Sequence, residues 1–129
     1  MGTLNTKSIM KGRFNVERVK FNHYLIELFD VDTNFLKDKE SLIEKNRKLI
    51  KDLNLRIVKS VNYEYKPQGL TIVFVLSSSH LIVHTWPEYG YLHIDLFSCS
   101  GAKYKKEVHL IVKKIFNPKE VIIRKIYYE

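Results

Sequence analysis

The segment "LTIVFVLSSSHLIVHTWPEYGYLHIDLFSCS", residues 70–100, constrains the fold more than any other part of the chain. Its first run, Leu70 to Leu76, is apolar at almost every position, as expected of a strand covered on both faces. "HLIVHTW" and "YLHIDLFSC" read as two further strands, separated by the turn Pro87-Glu88-Tyr89-Gly90. Strands in such close succession call for a mostly antiparallel sheet.

The flanks supply the rest of the fold. "FNHYLIELFDV", from Phe21 to Val31, sets Tyr24, Ile26 and Leu28 in alternation with Leu25, Glu27 and Phe29, which is a strand pattern. The following stretch to Asn54 carries Leu42, Ile43, Asn46, Leu49, Ile50 and Leu53 on one stripe and predicts a single amphipathic helix. "RIVKSVNYEY" reads as a strand, with the turn "KPQG" after it. Beyond "SGAK", Tyr104, Val108, Ile111, Val112 and Ile115 mark a second helix, and "EVIIRKIYY" a last strand. The expected fold class is α+β, a two-layer domain whose mostly antiparallel sheet is covered by helices on one face. The other face then needs a partner, and a second copy of the chain is the economical one.

A chain of 129 residues with 45% apolar residues can bury one core, so a single domain at 21–129 is expected behind a basic extension at 1–20. The lone cysteine, Cys99, excludes an internal disulfide. With no secretory apolar segment and no long apolar run, a cytoplasmic protein without a membrane span is expected. The net charge of +8 invites a nucleic-acid reading. The basic residues are spread through the chain, however, and "KNRKLIKD" and "KYKKEVHLIVKK" have the spacing of solvated helix faces, so no nucleic-acid partner is expected.

Between Ser77 and Tyr91 the chain concentrates hydroxyls, two histidines, a tryptophan and a carboxylate. His80, His84, His93 and Cys99 are metal-ligand types, but His80 and His84 on one strand are roughly 13 Å apart at about 3.3 Å per residue, so no metal site is expected. A serine hydrolase would need a Gly-x-Ser-x-Gly elbow, which is missing. In a third reading a serine is a precursor. Its hydroxyl attacks the preceding carbonyl, the amide becomes an ester, elimination leaves dehydroalanine, and hydrolysis of that group releases ammonia and leaves a pyruvoyl group. That route needs a serine, a histidine, a hydroxyl to steady the intermediate, and strain in a turn. Composition alone does not choose between these readings.

"PQGLTIVFVLSSSHLIVHTWPEYGYLHIDLFSCS" resembles the core of the small prokaryotic and archaeal S-adenosylmethionine decarboxylases. Their pattern runs Pro-x-Gly, Ser or Thr, an apolar strand, Ser-Glu-Ser-His, His-Thr-Trp-Pro-Glu, and a cysteine. "FNHYLIELFDVD" also resembles the family's first strand.

The resemblance implies that Ser79, just before His80 and five residues before His84, becomes the pyruvoyl group, with cleavage between Ser78 and Ser79. It implies that His84 and Thr71 assist processing, that Cys99 is the proton donor in decarboxylation, and that Glu88 holds the substrate ribose. Trp86 and Tyr65 would line the adenosyl site, Tyr65 standing where phenylalanine is usual. The pyruvoyl group would be the cofactor, with no metal and no pyridoxal phosphate. The substrate would be S-adenosylmethionine and the product the aminopropyl donor for spermidine. The implied assembly is a homodimer with sheets face to face and active sites at the interface.

This sequence departs from the family at three places. Ser78 replaces the glutamate before the cleaved bond, Ile72 stands where a small residue is common, and His93 and Asp95 lie on the strand leading to Cys99. These departures leave two alternatives, the same chemistry on arginine or ornithine, and an unprocessed homologue that regulates an active partner.

Overall fold

Strict alternation along the strands produces a sheet with one apolar face and one mixed face. The computed structural model describes residues 21–99 and 104–128; the basic extension at 1–20 lies outside them. The strands are β1 (Asn22–Phe29), β2 (Ile57–Glu64), β3 (Leu70–Leu76), β4 (Ser79–Trp86), β5 (Tyr91–Ser98) and β6 (Glu120–Ile126). The helices are α1 (Thr33–Lys37), α2 (Lys39–Asp52) and α3 (Lys105–Phe116). The strands form one antiparallel sheet in the order β2-β3-β4-β5-β1-β6. The α+β reading of the sequence therefore holds.

Register puts the core on one side. Tyr24, Ile26 and Leu28 of β1 pair with Leu96, Ile94 and Leu92 of β5, and all six are fully buried. Ile72, Phe74, Leu81 and Val83 continue the same face across β3 and β4. Leu42, Leu49 and Ile50 of α2 and Val108 and Val112 of α3 close over it in one cluster. Fully burying each of these side chains is worth about 1.5–3 kcal/mol, so this layer dominates the stability of the fold.

One sequence expectation needs correction. The stretch after β1 is two helices, because Asp38 ends α1 and caps α2, its carboxylate accepting hydrogen bonds from the Ser41 N–H and hydroxyl. A cap at that point starts a new helix instead of continuing the old one. Asn46 does lie on the buried stripe, and its amide donates to the Leu42 carbonyl at 2.8 Å. Within the single chain β3 is covered by the helices on one face only, as the two-layer reading expects. Thr71 and Val73 are half-buried on the other face and Val75 is 43% exposed there.

Candidate active site

The open face carries the chemistry, because the residues that alternate with the core residues point away from the helices. The candidate residues fall into separate groups along β4. At its first end, Ser77 and Ser78 form the two-residue turn between β3 and β4, with Leu76 paired to Ser79. Ser78 has φ 57°, the left-handed region that a side chain with a Cβ occupies at a cost of about 1–2 kcal/mol. Ser79 begins β4, and its Oγ accepts a hydrogen bond from the Cys99 backbone N–H at 3.0 Å. The end of β5 thus holds the hydroxyl of Ser79 beside the strained peptide.

The second group lies at the far end of β4. Thr71 and His84 are direct partners across β3 and β4, and Thr71 Oγ1 is 2.8 Å from His84 Nδ1. The Tyr65 hydroxyl is 3.0 Å from the same Thr71 oxygen, which makes a chain of three polar groups. Tyr65 is placed by the turn that follows β2, where its N–H donates to the Gly69 carbonyl at 2.9 Å and Gly69 takes φ 114°. Burial, ahead of the nearby His93, pulls His84 below its ordinary value, while Asp95 opposes the shift. The imidazole is therefore neutral near pH 7 and able to take a proton.

Trp86, 39% exposed, ends β4, and Glu88 sits on the short 3-10 turn Pro87–Tyr89 that Gly90 terminates at φ 61°. With Tyr65, Gly69, Thr71 and His84 they line a cleft of about 320 Å³. Gln68, which the sequence reading did not single out, extends its amide toward Glu88 Oε1 at 3.5 Å. The cleft has an aromatic wall, a carboxylate and a neutral imidazole, a set suited to a flat, cationic, hydroxylated ligand.

The expected site residues are thus brought together in two sets. Ser79 and Cys99 meet at one end, and Tyr65, Thr71, His84, Trp86 and Glu88 at the other. Five residues of extended strand separate Ser79 from His84, roughly 16 Å at about 3.3 Å per residue. Within one protomer the histidine is therefore not near the serine.

Two further polar groups form on this face around His23 and Glu27, which the sequence does not single out. His23 Nε2 lies 2.8 Å and His80 Nε2 3.3 Å from the same Asp95 oxygen. Glu27 accepts from Tyr91 at 2.6 Å and from Arg124, and the Tyr91 bond, ahead of Arg124, holds it below the usual carboxylate range. Both groups join β1 to strands distant in sequence, which only the sheet register reveals.

The family model described as S-adenosylmethionine decarboxylase matches residues 22–127. The chain belongs to the S-adenosylmethionine decarboxylase family. An S-adenosylmethionine decarboxylase proenzyme of Clostridium botulinum is 34% identical over 104 residues, which cover 81% of this chain and 90% of that one. One from Thermodesulfovibrio yellowstonii is 42% identical over 87 residues, covering 67% of this chain and 63% of the other. Among solved structures, the adenosylmethionine decarboxylase of Aquifex aeolicus matches with a TM-score of 0.72 and 28% identity over 82% of this chain and 88% of that one. In this S-adenosylmethionine decarboxylase family member Ser78 precedes Ser79, with His84 five residues and Cys99 twenty residues after Ser79.

Proposed function

We propose that this chain, an S-adenosylmethionine decarboxylase by family, matures by cutting itself between Ser78 and Ser79 and works at sites shared by two protomers. The observation that carries this reading is the separation of Ser79 and Cys99 from Thr71 and His84 along β4. A two-fold axis lying between two open faces, parallel to the sheets and running across β4, would lay one protomer's serine end against the other's histidine end, and would produce two such sites. The same packing would cover Val73, Val75 and Trp86.

Ser79 Oγ attacks the carbonyl carbon of Ser78; the new C–O bond forms and the C–N bond breaks, its nitrogen taking a proton. Only the residue 78 carbonyl takes part, so Ser78 in place of glutamate leaves this step intact. The left-handed Ser78 weakens the ground state, and Thr71 from the second protomer donates to the tetrahedral oxyanion. His84 of that protomer, neutral near pH 7, removes the Ser79 α-proton. The Cβ–O bond then breaks, freeing the carboxylate of Ser78, and water replaces ammonia at the resulting dehydroalanine.

The pyruvoyl group so formed supplies the electron sink for decarboxylation. Ser79 starts β4 next to the left-handed Ser78, and its hydroxyl accepts from the Cys99 N–H, so the residues present fit that group. Tyr65 and Trp86 hold the adenine, Glu88 accepts from the ribose hydroxyls, and the aromatic faces favour the sulfonium. The Cys99 thiol delivers a proton to the substrate α-carbon. The product is an aminopropyl donor of the kind spermidine synthesis consumes.

An intact-mass spectrum of the purified protein tests maturation. Two fragments are expected, one ending at Ser78 and one beginning at residue 79 with a carbonyl in place of the amine. A single full-length mass after long incubation overturns self-processing and leaves the unprocessed regulatory subunit. Carbon dioxide release from S-adenosylmethionine, arginine and ornithine then tests the substrate, and preference for a free amino acid refutes the first.

A further inference from the structure

The central strands β4, β5 and β1 each send one ligand-type side chain to the same spot on the open face: His80, Asp95 and His23. One donor atom from each residue lies within 4.8 Å of the others. Both imidazoles present Nε2 to a single oxygen, Asp95 Oδ1, at 2.8 Å from His23 and 3.3 Å from His80. A zinc-like ion holds such atoms at about 2.0–2.2 Å from itself in a tetrahedral array, which spaces them roughly 3.2–3.6 Å apart. Small side-chain rotations therefore suffice to receive an ion.

The surroundings hold the donors in place. His80 stacks on Phe97 with 5.7 Å between ring centroids and 24° between planes, and His23 meets the same ring edge-on at 5.6 Å and 82°. The second nitrogen of His23, Nδ1, is 2.7 Å from the Tyr128 hydroxyl. In the tautomer whose Nδ1–H donates to Tyr128, Nε2 turns a lone pair toward the Asp95 carboxylate. A lone pair facing an anion repels it unless a cation sits between them. Metal-ligating histidines ordinarily have an outer partner of this kind on their second ring nitrogen.

We propose that His23, His80 and Asp95 bind one divalent transition-metal ion of the zinc class, with a fourth position left for water or another ligand. Two imidazoles and one carboxylate suit zinc, cobalt or nickel better than magnesium or calcium, which prefer oxygen alone. Within the single chain the side chains are 18% exposed at His23, 30% at Asp95 and 37% at His80, a partly dehydrated seat. None of the three residues has a role in the maturation or decarboxylation steps above, and the site stands whether or not those steps are right. It also differs from the pairing weighed from the sequence, since His84 takes no part.

The test uses the full-length protein in its native assembly, stripped with a chelator and titrated with Co²⁺ and then Zn²⁺. About one Co²⁺ per chain is expected, with the visible bands of a four-coordinate site that Zn²⁺ bleaches. His23→Ala, His80→Ala and the isosteric Asp95→Asn each weaken binding at least tenfold, while His109→Ala on α3 leaves it unchanged. Circular dichroism confirms that each variant is folded, and Asp95→Asn decides should a histidine variant unfold. No stoichiometric Co²⁺, or binding that survives the substitutions in folded protein, overturns the proposal.

Discussion

Thr71 Oγ1 and His84 Nδ1 lie 2.8 Å apart across β3 and β4, at the opposite end of β4 from the Ser79 hydroxyl. A site built from both ends needs two chains, and such sites can be complemented. Ser79→Ala and His84→Ala are each expected to abolish maturation alone. Co-expressed, they form mixed dimers in which one of the two sites has Ser79 from one chain and His84 from the other. Random pairing makes about half of the dimers mixed and so restores about a quarter of wild-type sites. Fragment yield on a denaturing gel measures this, and no fragments from the mixture would place each site within one chain.

His84 also sets a pH dependence. Its folded value lies below the ordinary 6.5, burial being the first cause. The unfolded chain therefore binds more protons as pH falls through that window, and stability declines from about 6.5 down to the folded value, then levels off. His84→Gln is expected to lose less stability than the wild type over the same range in urea titrations. On the proposed route maturation should slow as pH falls through the folded value and below it, because only the neutral imidazole removes the Ser79 α-proton. A cleavage rate that rises on acidification would assign the base elsewhere.

Cys99 separates the two reactions. Its backbone N–H, not its thiol, contacts the Ser79 hydroxyl, and that bond survives Cys99→Ala. Cleavage should proceed at a near wild-type rate, whereas decarboxylation falls by about 10²–10⁴, the usual worth of a positioned proton donor. Mass spectrometry follows the first and carbon dioxide release the second; full decarboxylation by the variant would remove Cys99 from the mechanism.

The sequence made much of this legible, for identifiable reasons. Alternation in "FNHYLIELF" and the closely spaced runs after Leu70 specify strands whose neighbours need no long-range information. The helix break at Asp38 was hidden, because an aspartate among lysines reads equally as a helix surface residue and as a cap, and only its bonds to Ser41 decide. The two halves of the site were spotted as residues but not as halves, since spacing in sequence does not say which end of a strand meets which partner. His23 and Glu27 escaped notice because their companions lie on β5 and β6, and the order β5-β1-β6 is a property of the assembled sheet.

The Tyr65 hydroxyl adds a third group to the Thr71–His84 pair. Ring and hydroxyl can be tested apart. Tyr65→Phe keeps the ring and loses one neutral hydrogen bond at an exposed position, worth about 0.5–1.5 kcal/mol, so maturation should change by no more than about tenfold. Tyr65→Leu keeps an apolar side chain but loses the aromatic face. Stacking of a base on an aromatic ring is worth about 1–3 kcal/mol, so KM for S-adenosylmethionine should rise roughly 5- to 150-fold with a smaller change in kcat. Steady-state decarboxylation by the matured variants separates these outcomes. An unchanged KM in Tyr65→Leu would mean that the adenine lies against Trp86 alone, and the cleft beside Tyr65 would then need another occupant.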